Sequence, residues 1–190
     1  MATRSRHDVG PVPCSIRLDS KPATRAPDEV DVGVGLLADV AAAYAKGWTG
    51  RWRIGLGKDQ LELRTPDDLI HLEEFWVLLL EVVDADAGEW SLYDGDAELV
   101  MEAQVHGPDI NLELSSAGGP PKFRGRRMPD RATVRLRAFV ANGVAFFQAL
   151  IDQAAKLDPS LLERDDLAGF REDLGQLTEA VADMPGTFKK

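Results

Sequence analysis

The sequence predicts an α+β fold: an antiparallel meander sheet of about five to six strands packed on a central helix, with two further helices at the C-terminal end. Three patterns carry this expectation. The stretch Thr65 to Val83, TPDDLIHLEEFWVLLLEVV, is apolar around nearly all of a helical circumference, with Asp67, His71, Glu74 and Glu81 as its one polar stripe. Such a helix must be covered on most sides. Residues 97–115 alternate apolar and polar side chains in two runs split by Gly107-Pro108, the mark of paired half-buried strands. Beyond residue 140 the apolar side chains return twice at helical spacing.

Taken in order, residues 1–30 hold Pro11, Pro13, Pro22 and Pro27 among scattered charges and are expected to form a flexible leader. An α+β domain over 31–158 follows, then a C-terminal helix and tail over 159–190. Val34 to Lys46, small and apolar and ending at Gly47, suggests a short helix. Trp52, Ile54 and Leu56 alternate with Arg51 and Arg53, and Leu61 and Leu63 with Gln60, Glu62 and Arg64. This is a hairpin turning at Gly57-Lys58-Asp59. The central helix should start at Thr65, whose hydroxyl can cap it, with Pro66 at the first position and Asp67 and Asp68 against the positive dipole end. Trp90 and Leu92 open a strand that turns at Asp94-Gly95, and 97–106 and 109–115 form the next two strands. A loop rich in Gly, Pro and Arg occupies 116–131. Val134, Leu136, Ala138 and Val140 then suggest a last strand, with Thr133, Arg135, Arg137 and Phe139 on its other face. Asn142 should cap a helix that stops before Asp158-Pro159, and Asp165 or Asp166 should open the final one.

The chain has 190 residues and a formal charge of −10. That balance argues against nucleic acid or an anionic membrane as the default partner. The charge is unevenly spread. Residues 31–115 carry 5 basic and 18 acidic groups, whereas 116–140 carry 7 basic and 1 acidic. Cys14 is the single cysteine, which rules out an internal disulfide or a cysteine zinc cluster. No run resembles a signal peptide or a membrane span, so a cytoplasmic protein is expected.

Chemistry is hard to place. The histidines are His7, His71 and His106, and no G-x-S-x-G, P-loop or H-E-x-x-H accompanies them. Gly33-x-Gly35 lacks the third glycine of a dinucleotide fingerprint, and Asp84 to Gly95 fails the calcium-loop pattern at two ligand positions. His7 with Cys14, or His71 with Glu74, is too sparse for a metal site. The loop around Phe123, with Lys122, Arg124, Arg126 and Arg127, is a thin platform for phosphates. No catalytic residue, metal or cofactor is expected.

Two surfaces remain. If the last strand lies beside 109–115, Arg135 and Arg137 share a sheet face with Glu113 and Glu102, and cross-strand opposite charges there help set register. The bland reading is a salt-bridged, solvated face. The sharper one is a partner surface of Glu98, Glu102, Asp109 and Glu113, with Arg135 and Arg137 at its edge. In the last helix, Leu167, Phe170, Leu174, Leu177 and Val181 step as a heptad seam. It can pack on the domain or join two copies as a homodimer.

The order of elements also resembles a known group. A hairpin leads to a helix opening Thr65-Pro66-Asp67-Asp68-Leu69, then Trp90-Ser91-Leu92-Tyr93-Asp94, the meander Leu99 to Leu114, Val134 to Val140, and a helix with Phe146-Phe147. Over about residues 48–156 this is similar to the small immunity proteins of the wall-associated protein inhibitor type, which neutralise bacterial contact-dependent toxins, and to related uncharacterised actinobacterial domains. The resemblance implies a non-enzymatic protein that binds and blocks a partner, such as a basic toxin domain; it carries over no site residues. The alternative is a structural or regulatory module that dimerises through the C-terminal helix.

Overall fold

The computed structural model describes residues 10–24, 34–65, 67–94, 97–124 and 126–185. Strand β1 (Cys14–Pro22) stands inside the stretch expected to be a flexible leader. Ile16 and Leu18 alternate with Arg17 and Asp19, a short strand signal that the surrounding prolines obscure. The pairing that makes it a strand comes from a distant partner, β2 (Trp48–Leu56), with Ile16 opposite Ile54. The rest of that expectation, over 1–9 and 25–30, lies outside the described residues. Helix α1 (Leu36–Ala45) sits within the predicted 34–46, and its Val40, Ala41 and Tyr44 are wholly buried.

Strand β3 (Asp59–Thr65) returns along β2, giving a three-stranded antiparallel sheet in the order β1-β2-β3. Leu56 faces Asp59, so the turn has two residues, Gly57 and Lys58, rather than the expected three. Gly57 supplies the positive φ of 67° that such a tight turn requires.

The central helix starts later than its sequence signals suggest. Thr65 does not cap it but closes β3 opposite Gly50, and Asp68 does not cap it either. The Asp68 carboxylate accepts from the backbone N–H of Arg64 at 2.5 Å, while the Asp68 N–H donates to the Arg64 carbonyl at 2.8 Å. The chain is thereby folded back on the end of β3. A 3₁₀ turn over Leu69–His71 then leads into α2 (Leu72–Asp84). Pro66 is outside the described residues.

The second sheet holds β4 (Ala87–Asp94), β5 (Ala97–His106), β6 (Asp109–Ser116) and β9 (Arg131–Arg135), antiparallel in that order. Between β6 and β9 the chain forms a short ribbon of β7 (Lys122–Phe123) and β8 (Arg126–Arg127). The expected sheet-on-helix arrangement thus holds, but as sheets of three and four strands with this ribbon rather than one meander. A parallel bridge between Val12 and Val134, with the Val12 N–H donating to Thr133 O at 2.8 Å, links the two sheets at one corner.

The last strand ends at Arg135, and helix α3 (Leu136–Leu157) begins where the sequence suggested more strand. Leu136, Phe139, Val140, Gly143, Phe146 and Phe147 recur at three- and four-residue steps, so the helical period outruns the short alternation of 134–140. Asn142 sits in the second turn, where its side-chain amide donates back to Ala138 O, and is not the cap. Arg137 is therefore an exposed side chain of the first turn of α3, not a sheet residue. Helix α4 (Asp165–Asp183) starts at Asp165 as expected, after a 3₁₀ turn at Pro159–Glu163.

One hydrophobic core runs through all these elements except β8. At its centre, rings from both sheets and two helices meet: Trp52 of β2 lies 5.0 Å from Phe146 of α3 and 5.6 Å from Trp90 of β4, and Phe75 of α2 lies 4.8 Å from Trp90. Each such pair is worth about 0.5–1.5 kcal/mol beyond simple burial, which ties the two sheets into one unit. Among the described residues no helix is long and apolar enough to cross a membrane.

Candidate functional site

The outer face of the second sheet is acidic, and its register decides which charges meet. Because β4, β5 and β6 pair in strict alternation, Glu89, Glu102 and Glu113 stand directly opposite one another, in one row across three strands. The row ends at Arg131 of β9, which holds Glu113 at 2.9 Å. Four residues further along β9, Arg135 reaches Asp109 at 2.8 Å. Arg135 thus shares the sheet face of Glu113 and Glu102, as expected, whereas the same expectation for Arg137 is corrected. The strand is too short to carry Arg137, and the antiparallel register gives Glu113 to Arg131.

Glu89 and Glu102 have no ion-pair partner among the described residues. Like charges directly opposite each other oppose sheet formation. The row borders a shallow concavity of about 660 Å³, to which α2 adds Glu81 and which also touches His106 and Asn111. Gly88 lets the helix approach this closely: a Cβ there would lie 2.8 Å from the Glu81 carboxylate and 2.9 Å from Leu78.

Glu98 is separate from this row, at the far end of the β4–β5 hairpin opposite Tyr93. Hydrogen bonding to Glu98, together with its charge, raises the Tyr93 phenol above its ordinary value. The Glu74 carboxyl in the first turn of α2 is raised by partial burial and by the nearby charges of Glu73 and Glu98. The structure therefore divides the predicted acidic surface into a central row and an outlying corner.

The first sheet presents the opposite sign. Its outer face carries Arg17, Lys21, Arg51, Arg53 and Arg64, against Asp19 and Glu62. Glu62 is braced by Arg51 at 3.0 Å and Arg53 at 3.3 Å, and Arg53 also reaches Asp19 at 2.5 Å. Partial burial pushes the Glu62 carboxyl up, but the two arginines outweigh it and hold it below its ordinary value.

At the end of this sheet lies a buried polar corner that sequence reasoning placed differently. Asp68 and His71 are each 4% exposed, although His71 was expected on the polar stripe of the helix. The Asp68 carboxylate binds Arg124 of the β7–β8 connection at 2.7 Å. Burial raises the Asp68 carboxyl, despite the opposing pull of the Arg64 N–H and Arg124. Burial also lowers the His71 imidazole, and the Arg124 charge lowers it further. His71 stacks on Tyr93 at 6.1 Å, and its backbone carbonyl accepts from the Trp90 indole at 3.2 Å.

Comparisons were made with protein-family models, curated proteins and solved structures. None of the three matches this chain.

The other predicted groups fall as follows. Leu167, Phe170, Leu174 and Leu177 are buried within the chain, Phe170 lying 4.1 Å from Trp76 and 5.9 Å from Phe147. The expected seam thus packs on α2 and α3 of its own chain. Val181 is half-buried and lines a groove of about 500 Å³ between α3 and α4. Burial pushes the Cys14 thiol up to about 12, which leaves it a poor nucleophile. His7 lies outside the described residues, and no group of metal-ligating side chains occurs among those described. Glu89, Arg131, Asp68 and Arg124 were missed as site residues. For Glu89 a signal existed, since it alternates with Trp90; the others needed the register and the ribbon.

Proposed function

We propose that this protein is a non-enzymatic binding protein of the immunity type, docking a basic protein partner on the acidic face of the β4–β5–β6–β9 sheet. The observation behind this reading is the row Glu89–Glu102–Glu113, in which two carboxylates oppose like charge and lack a partner. Such a row costs stability without serving the fold, and a basic partner would turn the cost into attraction. It would also speed encounter through electrostatic steering. The resemblance to inhibitors of contact-dependent toxins agrees with a basic toxin domain as that partner, in a cytoplasmic setting.

The test is co-expression with basic toxin domains, reading growth rescue and complex formation, beside a variant carrying Glu89→Lys, Glu102→Lys and Glu113→Lys. Rescue by the parent chain and its loss in the variant is the expected result. Equal affinity and equal salt response in the two chains sinks the docking face.

A further inference from the structure

The first sheet has an open edge, and a basic cleft lies along it. In the two-residue hairpin that closes at Leu56 and Asp59, alternate residues of β3 point their backbone groups away from β2. Arg64 is one of these, and its N–H and C=O both bond to Asp68 instead. By the two-residue period, the N–H and C=O groups of Gln60 and Glu62 face the same way, and among the described residues they have no backbone partner. Beyond them, separated by a cleft of about 250 Å³, stands the β7–β8 ribbon.

The cleft has a charged rim and an apolar floor. Arg64 and Arg126 are exposed on its walls, and neither has a carboxylate within ion-pair distance among the described residues. Arg124 completes the set. Its φ of 48° is a left-handed conformation unfavourable for a residue with a side chain, and this holds it at the ribbon tip. One guanidinium nitrogen, Nη2, is fixed on Asp68; the other, Nη1, is buried with no hydrogen-bond partner. Glu62, the acidic side chain in the lining, is already engaged by Arg51 and Arg53. Leu61, Phe123 and Met128 form the buried floor.

We propose that this cleft binds an extended acidic segment of a partner protein, which adds as a strand to β3. Its backbone pairs with Gln60 and Glu62, a carboxylate side chain seats among Arg64, Arg124 and Arg126, and the alternate apolar side chain rests on Leu61, Phe123 and Met128. Strand addition of this kind takes affinity from main-chain bonds and selectivity from pockets for alternate side chains. Charge complementarity selects the occupant: three arginines with free donors suit a carboxylate and reject a cationic segment. This site lies on the sheet opposite the acidic row and does not depend on it.

The experiment titrates the full chain with a short capped peptide of alternating glutamate and valine, followed by amide NMR. Expected are shifts and slowed hydrogen exchange at the Gln60 and Glu62 amides, with no such response to the matching lysine–valine peptide. Combining Arg64→Gln with Arg126→Ser, both exposed and outside the core, should weaken binding roughly tenfold or more, since charge-assisted bonds are lost. Equal affinity in that double variant overturns the proposal, as does binding that leaves the Gln60 and Glu62 amides unmoved. If inorganic phosphate alone reproduces the arginine effects and the peptide adds nothing at the β3 amides, the cleft is an anion pocket and strand addition is wrong.

Discussion

The two sheets of this protein are built from the same alternation and treat charge in opposite ways. Across β1, β2 and β3, Arg17 faces Arg53 and Arg51 faces Arg64, but carboxylates stand between these arginines, and Asp19, Arg53, Glu62 and Arg51 form a continuous chain of ion pairs. Across β4, β5 and β6, Glu89 faces Glu102 and Glu102 faces Glu113. The first arrangement supports register; the second works against it. A solvent face can therefore be charged for the sake of the fold or in spite of it, and only the second kind asks for a partner.

That contrast assumes one cooperative unit, and the largest expected effect tests the assumption. Trp52→Ala removes the ring that joins Trp90, Phe75 and Phe146 and should cost about 3–5 kcal/mol, with both sheets unfolding in one urea transition. Two separate transitions in the parent chain would mean that the sheets are independent and the comparison is between two domains.

Next in size is the corner beneath the basic sheet. Asp68→Asn leaves the Arg124 guanidinium partly buried beside a neutral amide, at a cost of about 2–3 kcal/mol once its partial exposure is allowed for. Thermal melting of the variant checks this; an unchanged melting temperature would mean that the pair contributes nothing.

His71 adds a pH dependence at the same corner. Its folded imidazole holds a proton less tightly than the unfolded one, so the unfolded chain gains protons first as pH falls through the ordinary value of 6.5. This contribution is complete above that pH and is lost below it, as the pH descends toward the lowered folded value. Urea midpoints measured on either side should show the decline, and His71→Gln should flatten it; an equally steep decline in His71→Gln would assign it to other groups.

The smallest effects bear most directly on the contrast, because their signs differ. Glu62→Gln takes a carboxylate from between two arginines and should destabilise by about 0.5–1 kcal/mol. Glu102→Gln takes one from between two glutamates and should stabilise by about 0.2–1 kcal/mol. Denaturation of the two variants side by side decides this; if both changes destabilise, the acidic row is held by contacts of its own.

Much of the architecture was legible because it is local. The alternation of Leu99, Met101 and Ala103, and of Ile110, Leu112 and Leu114, marks which side of each strand is buried, and all six are core residues. The greasy circumference of α2 likewise implies cover on most sides, and Phe75, Leu78, Leu79 and Val82 are fully buried. The errors came where two local signals competed. Thr65 to Asp68 resembles a helix cap, but the outward groups of β3 and Arg124 take up Asp68 first. Val134 to Val140 fits strand and helix alike, and the aromatic core that Phe139, Phe146 and Phe147 complete favours the helix. Cys14 to Pro22 looked unstructured because its strand forms only against residues more than 25 positions away.

The sequence by itself determined the α+β class, the apolar faces and the excess of carboxylates in its middle. All three follow from the period of side chains along a backbone, which needs no knowledge of neighbours. The tertiary structure decided which charges meet: the row of three glutamates, Arg131 rather than Arg137 on Glu113, and the buried Asp68–Arg124 pair. Electrostatic energy depends on distance across strands, and that distance is set by register and packing between segments far apart in the chain.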